Sequence, residues 1–272
     1  MDPGPLRDAL TLAAGVVTGV LSAAFGVGGA VISTPAIRAL GAPAALAVGT
    51  TLPSILPSAI TGTLRYSREG LIEWRVVRWT APVGVMAAVG GSLLSKVVPG
   101  DGHWLMVLTA ALLGFTAYRM ARQADEPPLV AAEPDEIAAG HPRRDDRNDG
   151  PGVLVAVGAV AGLLSGLLGV GGGIVMVPGF TEVARIPLKT AIATSLACVG
   201  IFAIPGTVTH AALGDIDWRF AFWLAVGVVP GARLGAAAAI RATNRRLRLA
   251  VAIFLGVVSV LYAGGELISL AR

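Results

Sequence analysis

Apolar stretches close to the length of a bilayer crossing recur along this chain, at residues 9–25, 44–64, 76–95, 104–118, 153–170, 188–209, 220–240 and 249–263. A helix rising 1.5 Å per residue needs about 20 residues to cross the hydrocarbon layer, and one soluble core cannot absorb so many segments of that length. Only 14% of the residues are charged, against about 25% in an ordinary soluble domain. The chain reads as an all-α integral membrane protein. Its first segment is expected to be retained rather than cleaved as a leader, because Arg7 is balanced by Asp2 and Asp8 and no convincing cleavage site follows.

The second constraint is a duplication. Shifted by 143 positions, Gly15, Gly19, Ser22, Gly26, Val27, Gly28, Gly29 and Pro35 fall on Gly158, Gly162, Ser165, Gly169, Val170, Gly171, Gly172 and Pro178. After one extra residue, Pro43, Ala47, Thr50 and Leu52 meet Pro187, Ala191, Thr194 and Leu196, with Thr51 opposite Ser195. The match continues from Gly62, Trp74, Arg75 and Gly91 to Gly206, Trp218, Arg219 and Gly235. Each copy holds five apolar segments, about 9–26, 28–40, 44–66, 74–98 and 103–122 in the first and about 153–169, 172–184, 188–212, 218–240 and 245–265 in the second. Three regions follow: a first repeat over 1–122, a linker over 123–150 and a second repeat over 151–272. The linker is rich in acidic residues, arginine and proline, cannot build a core, and is expected to be disordered.

Five segments per copy is odd, so the second copy should be inverted relative to the first. Positive charge agrees. With the N-terminus outside and Arg233 set aside, the remaining Lys and Arg divide 15 cytoplasmic to 5 external, the sense of the positive-inside rule. Both termini are thus expected outside and the linker in the cytoplasm, with eight to ten membrane segments depending on whether the short second and seventh ones span. The net charge of +4 sits in short clusters between apolar segments, so lipid and topology account for it and nucleic acid does not. Cys198, the sole cysteine, can form no intramolecular disulfide and reads as a buried thiol.

The glycine clusters at 25–30 and 168–173 interrupt apolar sequence, where glycine this dense weakens a continuous helix. Backbone opened at membrane depth must line a cavity or be buried in protein, and a short helix starting there would point free N–H groups at an anion. Paired interruptions in inverted repeats are a sequence pointer to a transporter site. Gly26, Gly28, Gly29, Gly169, Gly171, Gly172 and Gly173 are therefore candidate substrate-binding positions, the alternative being close helix packing. Thr50, Thr51, Thr194 and Ser195 join them, since hydroxyls can donate to an oxyanion without burying a bare charge, although such side chains also bond their own helix. Arg233, between Gly231 and Gly235, either attracts the anion or snorkels. Glu182 is expected to counter Arg185, and His210 to lie at the interface. No paired carboxylates, H-x-x-x-H or activated nucleophile suggest an enzyme, no cofactor is called for, and proton coupling is left open.

The duplicated S-x-x-x-G-V-G-G-[AG] followed by proline, at Ser22 to Pro35 and Ser165 to Pro178, and the sequences G-T-T-L and A-T-S-L at 49–52 and 193–196 resemble the TauE/SafE sulfite exporter family, also called TSUP. The resemblance covers nearly all of the chain except the linker. It implies a secondary transporter, commonly an exporter across the bacterial inner membrane, of small sulfur-containing anions such as sulfite or organosulfonates. It also assigns the glycine clusters and hydroxyl pairs to substrate. The residues themselves leave two other readings open: a passive anion channel, and a membrane assembly partner without transport of its own. The copies are not equivalent, since Ala30 stands where the second has Gly173, and Pro53 and Pro57 have no counterparts.

Overall fold

The computed structural model describes residues 4–40, 44–95, 103–123, 150–168 and 172–270. Apart from its two end residues, the linker lies outside them. Among the described residues the chain is helical, with no strand. The first repeat supplies α1 (Pro5–Phe25), α2 (Ala30–Ala39), α3 (Ala44–Arg68), α4 (Trp74–Ser95) and α5 (His103–Gln123). The second supplies α6 (Pro151–Leu168), α7 (Gly173–Pro178, continued by a π-turn over Gly179–Val183), α8 (Leu188–Leu213), α9 (Trp218–Arg241) and α10 (Asn244–Leu270).

By length and composition α1, α8 and α9 are apolar enough to cross a membrane unaided. Of the other long helices, α3 holds seven Ser and Thr residues and two prolines, and α10 opens on Arg245, Arg246 and Arg248 before a long apolar stretch. Large apolar side chains nevertheless face outward all round the bundle, including Met86 at 76% exposed, Ile253 at 65% and Val260 at 71%. A water-soluble monomer does not carry so much exposed apolar surface, whereas lipid covers it without cost.

The two repeats are interleaved. Helix α1 packs on α9, and α4 on α6, so each repeat's first helix lies against the other's fourth. Glycine makes both seams. A Cβ on Gly15 would come within 2.6 Å of the Leu224 carbonyl, and one on Gly158 within 2.6 Å of the Thr80 carbonyl. Backbones this close need positions without side chains, which is how helices associate where lipid removes the hydrophobic drive. Gly15 sits by Leu224 and Gly19 by Val228, so α1 and α9 run parallel; Gly158 by Thr80 and Gly162 by Gly84 make α4 and α6 parallel too.

The third helices cross at the centre in opposite directions. Leu52 meets Gly206, Ala59 meets Gly200 and Gly62 meets Leu196, so α3 and α8 are antiparallel. The fifth helices also pair, with Ser259 of α10 donating to the Ala110 carbonyl of α5 at 2.7 Å. Phe25 at the end of α1 stacks on Phe254 of α10 with ring centroids 5.1 Å apart. Among the described residues, one buried core gathers the end of α1 with α5 and α10, another the middle of α8 with α4, α6 and α7, and a small third joins Ile37, Ala47, Phe220 and Leu224.

Candidate functional site

Helix α1 ends because Gly26 enters the left-handed region at φ 68° and its N–H closes back on the Ser22 carbonyl at 2.8 Å. Gly28, at φ 76°, continues the reversal. Only glycine adopts both conformations without strain. The chain then returns along α1, so that a Cβ on Gly29 would stand 2.7 Å from Thr18 Cγ2. Helix α2 starts there. The Gly29 carbonyl accepts from the amides of Ile32 at 3.1 Å and Ser33 at 2.9 Å, and from Ser33 Oγ at 2.8 Å. Among the described residues, the amides of Ala30 and Val31 donate to no backbone carbonyl, as expected for the first turn of a helix.

The second interruption separates Leu168 at the end of α6 from Gly173 at the start of α7. Gly169 and Gly171 lie outside the described residues. Gly172 is buried against the Phe202 ring, and a Cβ on Gly173 would overlap the Gly26 carbonyl and Val27 Cα. The two breaks therefore touch each other, backbone on backbone, between the repeats. Gly26, Gly28, Gly29, Gly172 and Gly173 are all buried.

Ser195 reaches this contact, and hydroxyls of both pairs reach across the repeats. Ser195 of α8 donates to the Gly26 carbonyl at 2.8 Å. Thr50 Oγ1 of α3 accepts the amide of Asp217 at 2.9 Å, and Thr194 Oγ1 of α8 accepts the amide of Glu73 at 3.1 Å. The latter two bonds are equivalent under the duplication, since Thr50 matches Thr194 and Glu73 matches Asp217. Each third helix thus holds the loop that begins the other repeat's fourth helix. Thr51 lies 3.4 Å from Thr34, hydroxyl to hydroxyl. Thr50, Thr51, Thr194 and Ser195 are 0% exposed.

Arg233 is placed elsewhere. It lies on the exposed face of α9 beside Leu234, while Gly231 and Gly235 face α1, so it is not gathered with the glycines and hydroxyls. Glu182 pairs not with Arg185 but with Arg119 of α5 at 2.7 Å. The π-turn carries Glu182 toward α5, while Arg185 takes a left-handed φ of 56° and is exposed. His210 Nδ1 lies 3.4 Å from Asp215 Oδ2 where α8 ends.

Two residues that the sequence reading passed over belong to this region. Thr18 is fully buried beside Gly29, and its hydroxyl has no hydrogen-bond partner. Tyr66, also fully buried, donates to the Ala23 carbonyl at 2.7 Å, one of the last-turn carbonyls of α1 that lack helical partners. The i, i+4 pair Thr18 and Ser22 on one face of α1 was the available signal for the first. Tyr66 aligns with His210, which hid its role because the two side chains share no chemistry.

No solved structure matches the chain. Among curated proteins it is 25% identical to the probable membrane transporter protein YunE of Bacillus subtilis, over 93% of this chain and 94% of that protein. It is 27% identical to a probable membrane transporter protein of Xylella fastidiosa over 85% of each, and 25% identical to the probable membrane transporter protein MJ0441 of Methanocaldococcus jannaschii over 91% and 92%. The family model described as Sulfite exporter TauE/SafE matches residues 11–262. With helices interrupted where the duplicated glycines fall and relatives of matching length that are probable membrane transporters, the chain belongs to the TauE/SafE sulfite exporter family of membrane proteins.

Proposed function

We propose that this protein is a secondary transporter of a small sulfur-containing oxyanion such as sulfite or an organosulfonate, acting by alternating access between two inverted repeats. The observation that carries the reading is the contact of the two helix breaks at Gly26 and Gly173, fastened by Ser195, with Thr50 and Thr194 joining the repeats on either side of it. The antiparallel crossing of α3 and α8 supports inversion, as does the exchange of first and fourth helices. An anion suits the chemistry available. The first turn of α2 offers amides and a positive dipole end, Thr18 offers an unpartnered hydroxyl, and Thr50 and Thr194 accept in their inter-repeat bonds, leaving each O–H able to donate. Neutral hydroxyls and a helix end can hold an oxyanion without the desolvation cost of a buried lysine.

The closed packing of these residues favours a carrier over a standing pore, because a conducting path would leave them wetted. The family's name and the distribution of arginines support export across a bacterial inner membrane with both termini outside. Reconstituted vesicles loaded with sulfite, sulfoacetate or chloride test the reading. Protein-dependent sulfite movement that unlabelled substrate on the opposite side accelerates is expected. Flux without such counterflow points to a channel, and absence of any anion flux overturns the proposal.

A further inference from the structure

The hydroxyls expected to bind substrate are already engaged, and the way they are engaged carries a second assignment. Among the described residues, Thr50 and Thr194 bond away from their own helices; each accepts a backbone amide from the opposite repeat. The loops they hold are built alike. Gly70 and Gly214, at φ 66° and 75°, end α3 and α8, and three residues later Glu73 and Asp217 open α4 and α9. The Gly49 backbone lies directly against Asp215, so the Thr50 contact is a packed joint rather than an isolated bond.

The two bonds sit at opposite ends of the molecule. The Thr50 bond lies where α1 and α9 begin, beside the pair that Arg219 makes with Asp8 at 2.6 Å and the stacking of Arg7 on Phe220 at 4.2 Å. The Thr194 bond lies where α4 begins, on the far side of the α3 and α8 crossing. Because Gly62 stands opposite Leu196 and Leu52 opposite Gly206, the two threonines are separated by about four turns of α3, roughly 20 Å.

Resting on the transporter reading, we propose that the Thr50–Asp217 and Thr194–Glu73 hydrogen bonds are two alternately released latches, one for each membrane face, that join the repeats in the closed state. Parting the repeats at one face breaks the bond there and leaves the other as the pivot. A single neutral hydrogen bond is of the right strength for this, because its net contribution leaves an opened state thermally populated. Both latches use a backbone amide as donor, so the device senses the position of the loop and not the identity of its side chain.

Two equivalent reporters read the latches separately. In the full chain carrying Cys198→Ala, reconstituted in lipid vesicles, Ile216→Cys reports the Thr50 end and Ile72→Cys the Thr194 end, each labelled by a membrane-impermeant maleimide from its own face. Thr50→Val removes the hydroxyl at constant shape. It is expected to speed labelling at position 216 by about three- to ten-fold, the weight of one such bond, and not at position 72. Thr194→Val is expected to do the reverse. Thr50→Ser and Thr194→Ser keep the hydroxyl and should label at the rate of the unsubstituted protein. If a valine variant does not yield folded protein, the alanine and serine variants give the same comparison. A variant that speeds both reporters, or valine and serine variants that label alike, overturns the latches. Sulfite counterflow in the same vesicles separates the two claims: flux with unreciprocal labelling removes the latches alone, and reciprocal labelling without flux removes the transport reading.

Discussion

The hydroxyl of Ser195 donates to the carbonyl of Gly26 at 2.8 Å, so the first repeat's helix break is fastened by the second repeat's third helix. Both groups are buried, and removing the donor strands a carbonyl that water cannot reach. Ser195→Ala is expected to cost about 1–3 kcal/mol, the penalty of an unsatisfied buried acceptor. Ser195→Thr, which copies Thr51, keeps the donor and should stay close to the parent. Thermal unfolding of the detergent-purified protein checks both.

Gly26 and Gly70 share a left-handed backbone and differ in surroundings. A Cβ on Gly26 would stand 2.6 Å from the Ile192 carbonyl, whereas nothing lies within 4 Å of one on Gly70. Gly70→Ala therefore meets conformational strain alone, about 1–2 kcal/mol. Gly26→Ala meets strain and a backbone clash together and is expected to abolish monodisperse protein. Equal yields of the two variants would show that the break is not packed as described.

The same contrast applies along the helices. Gly231 lies on the Val16 backbone in the seam of α1 and α9, while Gly256 of α10 meets only Ala117 Cβ at an ordinary 3.9 Å. Gly231→Ala should destabilise by about 1–3 kcal/mol or more, since helix backbones cannot part locally. Gly256→Ala should be neutral or stabilising by up to about 1 kcal/mol, the gain in helix propensity. Denaturation midpoints of the two variants measure the difference.

Arg119 and Glu182 join α5 to the π-turn of α7, with side chains 48% and 17% exposed. A double-mutant cycle with Arg119→Ala and Glu182→Ala is expected to give a coupling of about 0.5–1 kcal/mol, reduced by salt. A cycle built on Arg185 and Glu182 should give none.

Much of this architecture was legible because it is written twice. The matched glycines marked where α1 gives way to α2 and α6 to α7, and glycine density in apolar sequence has few other physical meanings. Helix bounds fell within a few residues of the apolar segments for the same reason, since hydropathy changes sharply at Arg68, Trp74, Arg241 and Asn244. What could not be read was pairing across the repeats. Thr50 meets a backbone amide 167 positions away, and an amide leaves no trace in side-chain identity. Glu182 looked three residues ahead to Arg185 because nearby charges are the default partners. A π-turn, which no short motif announces, sent it to Arg119 instead. Arg233 fell between two seam glycines in sequence, yet it stands two residues from each, and two residues on a helix turn a side chain by about 200°, enough to carry it from the seam to the outer face.

The glycine seam between α1 and α9 also bears on how the chain is made. Roughly 200 residues separate Gly15 from the Leu224 carbonyl that it abuts, so at about 5–20 residues per second α1 leaves the ribosome some 10–40 s before its partner exists. Throughout that interval its small-residue stripe has only lipid or the insertion machinery against it. Assembly of the first half must therefore wait for the last quarter of synthesis, and a chain cut after the linker is left with an unmated first helix.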